Sequence, residues 1–89
     1  MIRWVRVGSV AGLHARAAAV VAAAAARQPL PVIVRFGARV VPADSVLGLL
    51  SLGAMHGAEL ILEATGPAAA LVLSHLGDLL SRDLDAACA

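Results

Sequence analysis

Between Arg16 and Arg27 every residue is alanine or valine, and eight of those ten are alanine. No other run in the chain narrows the choice of structure as far. Alanine loses no side-chain entropy in a helix and heads the helix propensity scale, so Ala15 to Arg27 is expected to be helical. Pro29 and Pro31 stop that helix, since proline has no backbone N–H to continue it. The run is too short for a bilayer, which takes about 20 apolar residues to span. It does not read as a signal peptide either. No cluster of positive charge precedes it, and the residues before it pattern as a strand and a loop. The same alanines inflate the hydrophobic fraction to 61%, so no membrane insertion is expected.

The flanking segments alternate between strand and helix patterns. Met1 to Val7 reads as a strand, with Val5 and Val7 on one side and Arg6 on the other, although Trp4 blurs the register. Gly8 to Gly12 is a small-residue loop. Val32 to Phe36 and Arg39 to Val41 are β-branched runs on either side of Gly37, which predicts a hairpin. Asp44-Ser45 opens a short helix over Val46 to Leu52, and Gly53 closes it. Glu59 to Ala64 is a fourth strand. Thr65-Gly66-Pro67 introduces a last helix, with Pro67 suited to its first turn. There, Val72, Leu73, Leu76, Leu79 and Leu80 form a stripe that should pack on the sheet.

The order is therefore βαββαβα. Helices gathered on one face of an antiparallel sheet make a two-layer α+β fold, and residues 1–89 read as a single domain. A chain of this length has a thin core, so function is expected on the surface rather than in a deep pocket. The net charge is +1, with one Trp, one Phe and no Tyr. That composition lacks the basic stripe and stacking aromatics of a nucleic-acid binder. Cys88 is the only cysteine and cannot form an internal disulfide. It reads as an incidental tail residue in a protein of the reducing cytoplasm.

The informative segment is Gly12-Leu13-His14-Ala15-Arg16. It places a histidine where a loop becomes a helix. First-turn N–H groups have no partner within a helix, and the helix dipole adds positive character there. An anion at that spot is held by both. Arg16 adds a planar cation that matches phosphate oxygens. Imidazole is nucleophilic near neutral pH, so the combination points to transient phosphorylation of His14. The spacing alone leaves a second reading open, in which His14 caps the helix and Arg16 is merely solvated.

Gly12-Leu13-His14-Ala15-Arg16 resembles the active-site motif of HPr, the histidine-containing phosphocarrier family of the bacterial sugar phosphotransferase system. Asp44-Ser45-Val46-Leu47-Gly48-Leu49-Leu50-Ser51-Leu52-Gly53 is similar to the family's second signature, and His56-Gly57-Ala58-Glu59 continues the pattern. The resemblance covers nearly the whole chain. It implies an open-faced β-sandwich with strand order 1-4-2-3 and three helices on one face. It also implies that His14 accepts a phosphoryl group at Nδ1 from enzyme I, which draws it from phosphoenolpyruvate, and passes it to a IIA domain of a sugar permease. Carried over residue by residue, Arg16 neutralises the phosphate, and the backbone N–H groups of Ala15, Arg16 and Ala17 hold it. The chain departs from the family at Ala17, where proline is usual. Alanine adds a donor and removes some rigidity.

Ser45 matches the family's regulatory serine, the target of a serine kinase in some bacteria, but a helix cap is reason enough for a serine there. Val46, Leu47 and Leu50 match exposed apolar positions that the resemblance assigns to partner docking, the alternative being ordinary packing; Leu49 and Leu52 should face inward. Leu13, Ala19 and Ala23 would complete an apolar patch around His14. Arg27 is either a rim charge or a solvated helix end. His56 and His75 are expected on the surface, and nothing brings them to His14 as a metal site. No glycine-rich phosphate loop, Ser/His/Asp arrangement or carboxylate pair is present, and no cofactor is expected. The implied protein is a monomeric cytoplasmic carrier more than a free-standing enzyme. Its rivals are a regulatory binding module and a carrier for a nitrogen-related or dihydroxyacetone-kinase-type phosphorelay.

Overall fold

The computed structural model describes residues 1–84 of the 89, so Cys88 lies outside the described residues. Among the described residues seven elements follow in the order read from the sequence. They are β1 (Ile2–Arg6), α1 (Ala15–Ala26), β2 (Ile33–Phe36), β3 (Arg39–Pro42), α2 (Val46–Ser51), β4 (Glu59–Glu63) and α3 (Ala69–Ser81). The four strands form one antiparallel sheet in the order β1-β4-β2-β3. This is the α+β architecture that the resemblance implied.

Strand side chains alternate between faces, and the register sorts them cleanly. Val5, Val34, Leu60 and Leu62 are buried beneath the helices. Trp4 lies opposite Ile61 on the other face and is 60% exposed, which resolves the register that its bulk had blurred. That bare face also carries the ion pairs Arg6–Glu59 at 2.9 Å and Arg35–Glu63 at 3.0 Å. Exposed pairs of this kind contribute about 0.2–1 kcal/mol, so they decorate the face more than they hold the fold.

The helices cover the opposite face. α1 buries Ala17, Ala18, Val21, Ala22 and Ala25, a stripe at helical spacing built from small side chains. α3 buries Val72, Leu73, Leu76 and Leu80, with Leu79 half-buried at its edge. α2 is anchored by Leu49, its one buried residue. α3 begins later than its sequence suggested. Gly66 has φ +130° and accepts a hydrogen bond from the Ala69 N–H at 3.1 Å. Pro67 therefore sits in a turn ahead of the helix instead of in its first turn.

Two close approaches position the loop after β1. The Gly8 N–H donates to the Leu80 carbonyl at 2.9 Å, and a side chain at Gly8 would collide with the Ser81 carbonyl. The end of α3 is thus pressed against the start of the loop that leads to His14. Among the described residues, no helix is long and apolar enough to cross a membrane.

Candidate functional site

His14 is the N-cap of α1, with an extended backbone at φ −84° and ψ −177°. Its Nδ1 accepts a hydrogen bond from the Arg16 N–H at 3.2 Å. The Ala18 N–H donates to its carbonyl at 2.8 Å. The capping interpretation of His14 is therefore correct as geometry, and it is compatible with the chemical one. Capping turns Nδ1 toward the positive end of the helix, where an anion is best held.

The turn before His14 is braced from the side. Gly12 has φ +78°, and a side chain there would press on the Ala54 carbonyl and the Met55 Cα. The next N–H, of Leu13, donates to the Ala54 carbonyl at 2.9 Å. This pairing brings the segment after α2 against the N-terminal end of α1. Leu13 is 6% exposed and belongs to the core, which corrects the expectation that it forms part of a surface patch. Its side chain joins the same buried cluster as Ala18, Leu49 and Leu52, where removing its apolar surface from water outweighs a place on the docking face.

The other expected docking residues separate by depth. Leu47 is 79% exposed, Val46 and the α1 residues Ala19 and Ala23 are exposed, and Leu50 is half-buried against the core. Leu49 and Leu52 face inward as anticipated. Val10, Val20 and Met55 are also exposed, and sequence reasoning passed over all three. Val10 and Met55 sit in the two braced loops beside His14, where an apolar residue among turn-forming ones was the available signal. Arg16, Ala19, Val20, Ala23 and Arg27 share the exposed side of α1 at helical spacing. Neither arginine makes an ion pair with a described residue, and no acidic residue lies in α1 or α2. The face is thus apolar with two cations and suits a partner with an acidic rim.

Ala15 and Arg16 are exposed in the first turn of α1, while Ala17 is fully buried. Ser45 caps α2, its Oγ accepting from the Gly48 N–H at 2.9 Å. Its side chain is half-buried. His56 and His75 are exposed, and no group of metal-binding side chains occurs among the described residues.

The family model for the phosphorylation site of the phosphotransferase-system HPr component matches residues 3–82. The chain belongs to the HPr family. The phosphocarrier protein HPr of Streptomyces coelicolor is 37% identical over 84 residues, covering 93% of this chain and 90% of the relative. The HPr structure from Bacillus anthracis superposes with a TM-score of 0.84 at 26% identity, covering 90% of this chain and 95% of that one. An HPr dimer from Thermoanaerobacter tengcongensis matches at 34% identity and a TM-score of 0.67, covering 76% and 78%. As an HPr-family member this chain is a phosphocarrier component of the phosphotransferase system, whose partners in general include enzyme I and IIA domains.

Proposed function

We propose that His14 of this chain receives a phosphoryl group on Nδ1 from enzyme I, charged by phosphoenolpyruvate, and delivers it to a IIA domain of a sugar permease. The observation that carries this reading is the Nδ1 lone pair at the N-terminal end of α1, 3.2 Å from the Arg16 N–H. In the transfer the bond from phosphorus to the donor breaks as the Nδ1–phosphorus bond forms, and the lone pair that accepted the Arg16 N–H becomes that new bond. The Arg16 N–H is then released to donate to a phosphoryl oxygen. The N–H groups of Ala15 and Ala17 flank it, and the Arg16 guanidinium neutralises the added charge. Delivery to the IIA domain reverses these changes and restores the cap. No metal or cofactor enters the scheme.

In this reading docking falls to Val46, Leu47, Leu50, Ala19 and Ala23, with the exposed Val10, Val20 and Met55 beside them, and to Arg16 and Arg27 against acidic partner groups. A shallow surface of this kind suits short-lived association with several partners. The acting unit in this reading is a cytoplasmic monomer. A serine kinase acting on Ser45 would place about −1.5 to −2 charge beside Leu47 and oppose docking.

Intact mass after incubation with phosphoenolpyruvate and enzyme I tests the reading. One acid-labile phosphoryl adduct on the parent, absent from His14→Ala, is the expected outcome. No adduct on a folded parent, with enzyme I active on another carrier, refutes it and points to a different donor or a regulatory module.

A further inference from the structure

Ser9 is 1% exposed and is the one buried polar side chain among the described residues. A buried hydroxyl is stable where it is hydrogen-bonded, and here Oγ accepts from the Leu84 N–H at 3.2 Å. The Ser9 carbonyl accepts from the Gly12 N–H at 2.9 Å and meets Nδ1 of His56 at 3.3 Å. One residue thus joins three segments: the loop ending in His14, the turn carrying His56, and the chain just past α3. The Gly8 bond to Leu80 reinforces the same junction.

We propose that Ser9 is a positioning residue for His14, with the His56 ring bracing it from the solvent side. The inference rests on His14 being the phosphoryl acceptor. The backbone that leads into His14, and so presents its ring to the cap, passes through the turn at Gly12, whose N–H is fixed by the Ser9 carbonyl. Ser9 itself is held at its other end by Leu84. Loosening Ser9 lets that turn shift, and small displacements of a reacting group are costly to a transfer that needs in-line approach. The residue acts through geometry and touches neither donor nor phosphoryl group.

The test compares Ser9→Ala, Ser9→Thr and His56→Ala with the parent. One readout is the nitrogen NMR signals of the His14 ring and the Arg16 amide. The other is kcat and KM for phosphoryl transfer from enzyme I. Ser9→Ala should shift the His14 Nδ1 and Arg16 signals and lower kcat about tenfold, with KM for enzyme I unchanged. Ser9→Thr, which keeps the hydroxyl, should restore both. His56→Ala should move both readouts in the same direction by less. A folded Ser9→Ala protein with parental signals and parental kcat overturns the proposal. Should that variant fail to fold, parental signals and kcat in His56→Ala overturn it instead. If the parent takes no phosphoryl group at all, the reading of His14 falls, whereas the NMR signals still decide the role of Ser9.

Discussion

Two leucines two positions apart on α2 should answer to opposite tests. Leu49 is fully buried and is the only α2 side chain in the core, while Leu47 is 79% exposed. Truncating a buried leucine to alanine costs its transfer free energy plus that of the cavity it leaves, about 2–5 kcal/mol. α2 has six residues, too few to be stable as a helix alone, so it depends on packing, chiefly through Leu49 with Leu50 and Leu52 beside it. A loss of about 3 kcal/mol is expected for Leu49→Ala. In a domain of this length each kcal/mol moves Tm by about 4–8 °C, which gives a fall of roughly 15 °C. Leu47→Ala should stay within about 0.5 kcal/mol of the parent, as exposed substitutions do. It should instead weaken association with enzyme I. Urea unfolding of both variants beside a binding titration of the Leu47 variant reads all of this. If Leu47→Ala unfolds as readily as Leu49→Ala, or if Leu49→Ala costs less than about 1 kcal/mol, the assignment of inner and outer faces on α2 is wrong.

Other perturbations test the capping and the close approaches. Ser45→Ala removes the oxygen that accepts from the Gly48 N–H and should cost about 1 kcal/mol, read as a lower urea midpoint. Gly8→Ala forces a methyl group against the Ser81 carbonyl and should destabilise by about 1–3 kcal/mol or more, seen as a depressed Tm. Ala17→Pro lies in the first turn of α1, where a missing N–H is tolerated. It should leave Tm unchanged or raise stability by about 0.4–1 kcal/mol; a clear drop in Tm would show that this fully buried position cannot take the proline ring or that the Ala17 N–H carries a bond the fold depends on.

The fold was legible because its signals are local. The alanine run, the prolines behind it, the glycine-centred hairpin and the stripe of α3 each declare an element without reference to the rest. His14 and Ser45 were legible for the same reason, since both sit at helix starts that their neighbours announce. Leu13 was misplaced because it is buried by packing in a core that includes Leu49, Leu52 and Ala54, far away in sequence, and no local pattern encodes that. Val10 and Met55 were overlooked for a related reason. Their loops become neighbours only when α2 and α1 pack. The late start of α3 reflects the turn at Gly66, which proline-based reasoning about a first helical turn does not anticipate.

The strand order has a kinetic consequence. Among the described residues β4 is the last strand in the chain, yet it lies between β1 and β2 and is the only neighbour that β1 has. Ile2 therefore waits for Glu63, and a long loop must close before any contact rewards it. The β2–β3 hairpin can form early, but the first strand stays unpaired until most of the chain is available. The braces around His14, which run from Leu13 to Ala54 and from Val7 to Ala58, belong to that same late event. A partly folded chain would thus hold its histidine without a shaped site around it, and competence to carry phosphate should emerge only in the final, concerted closure of the sheet.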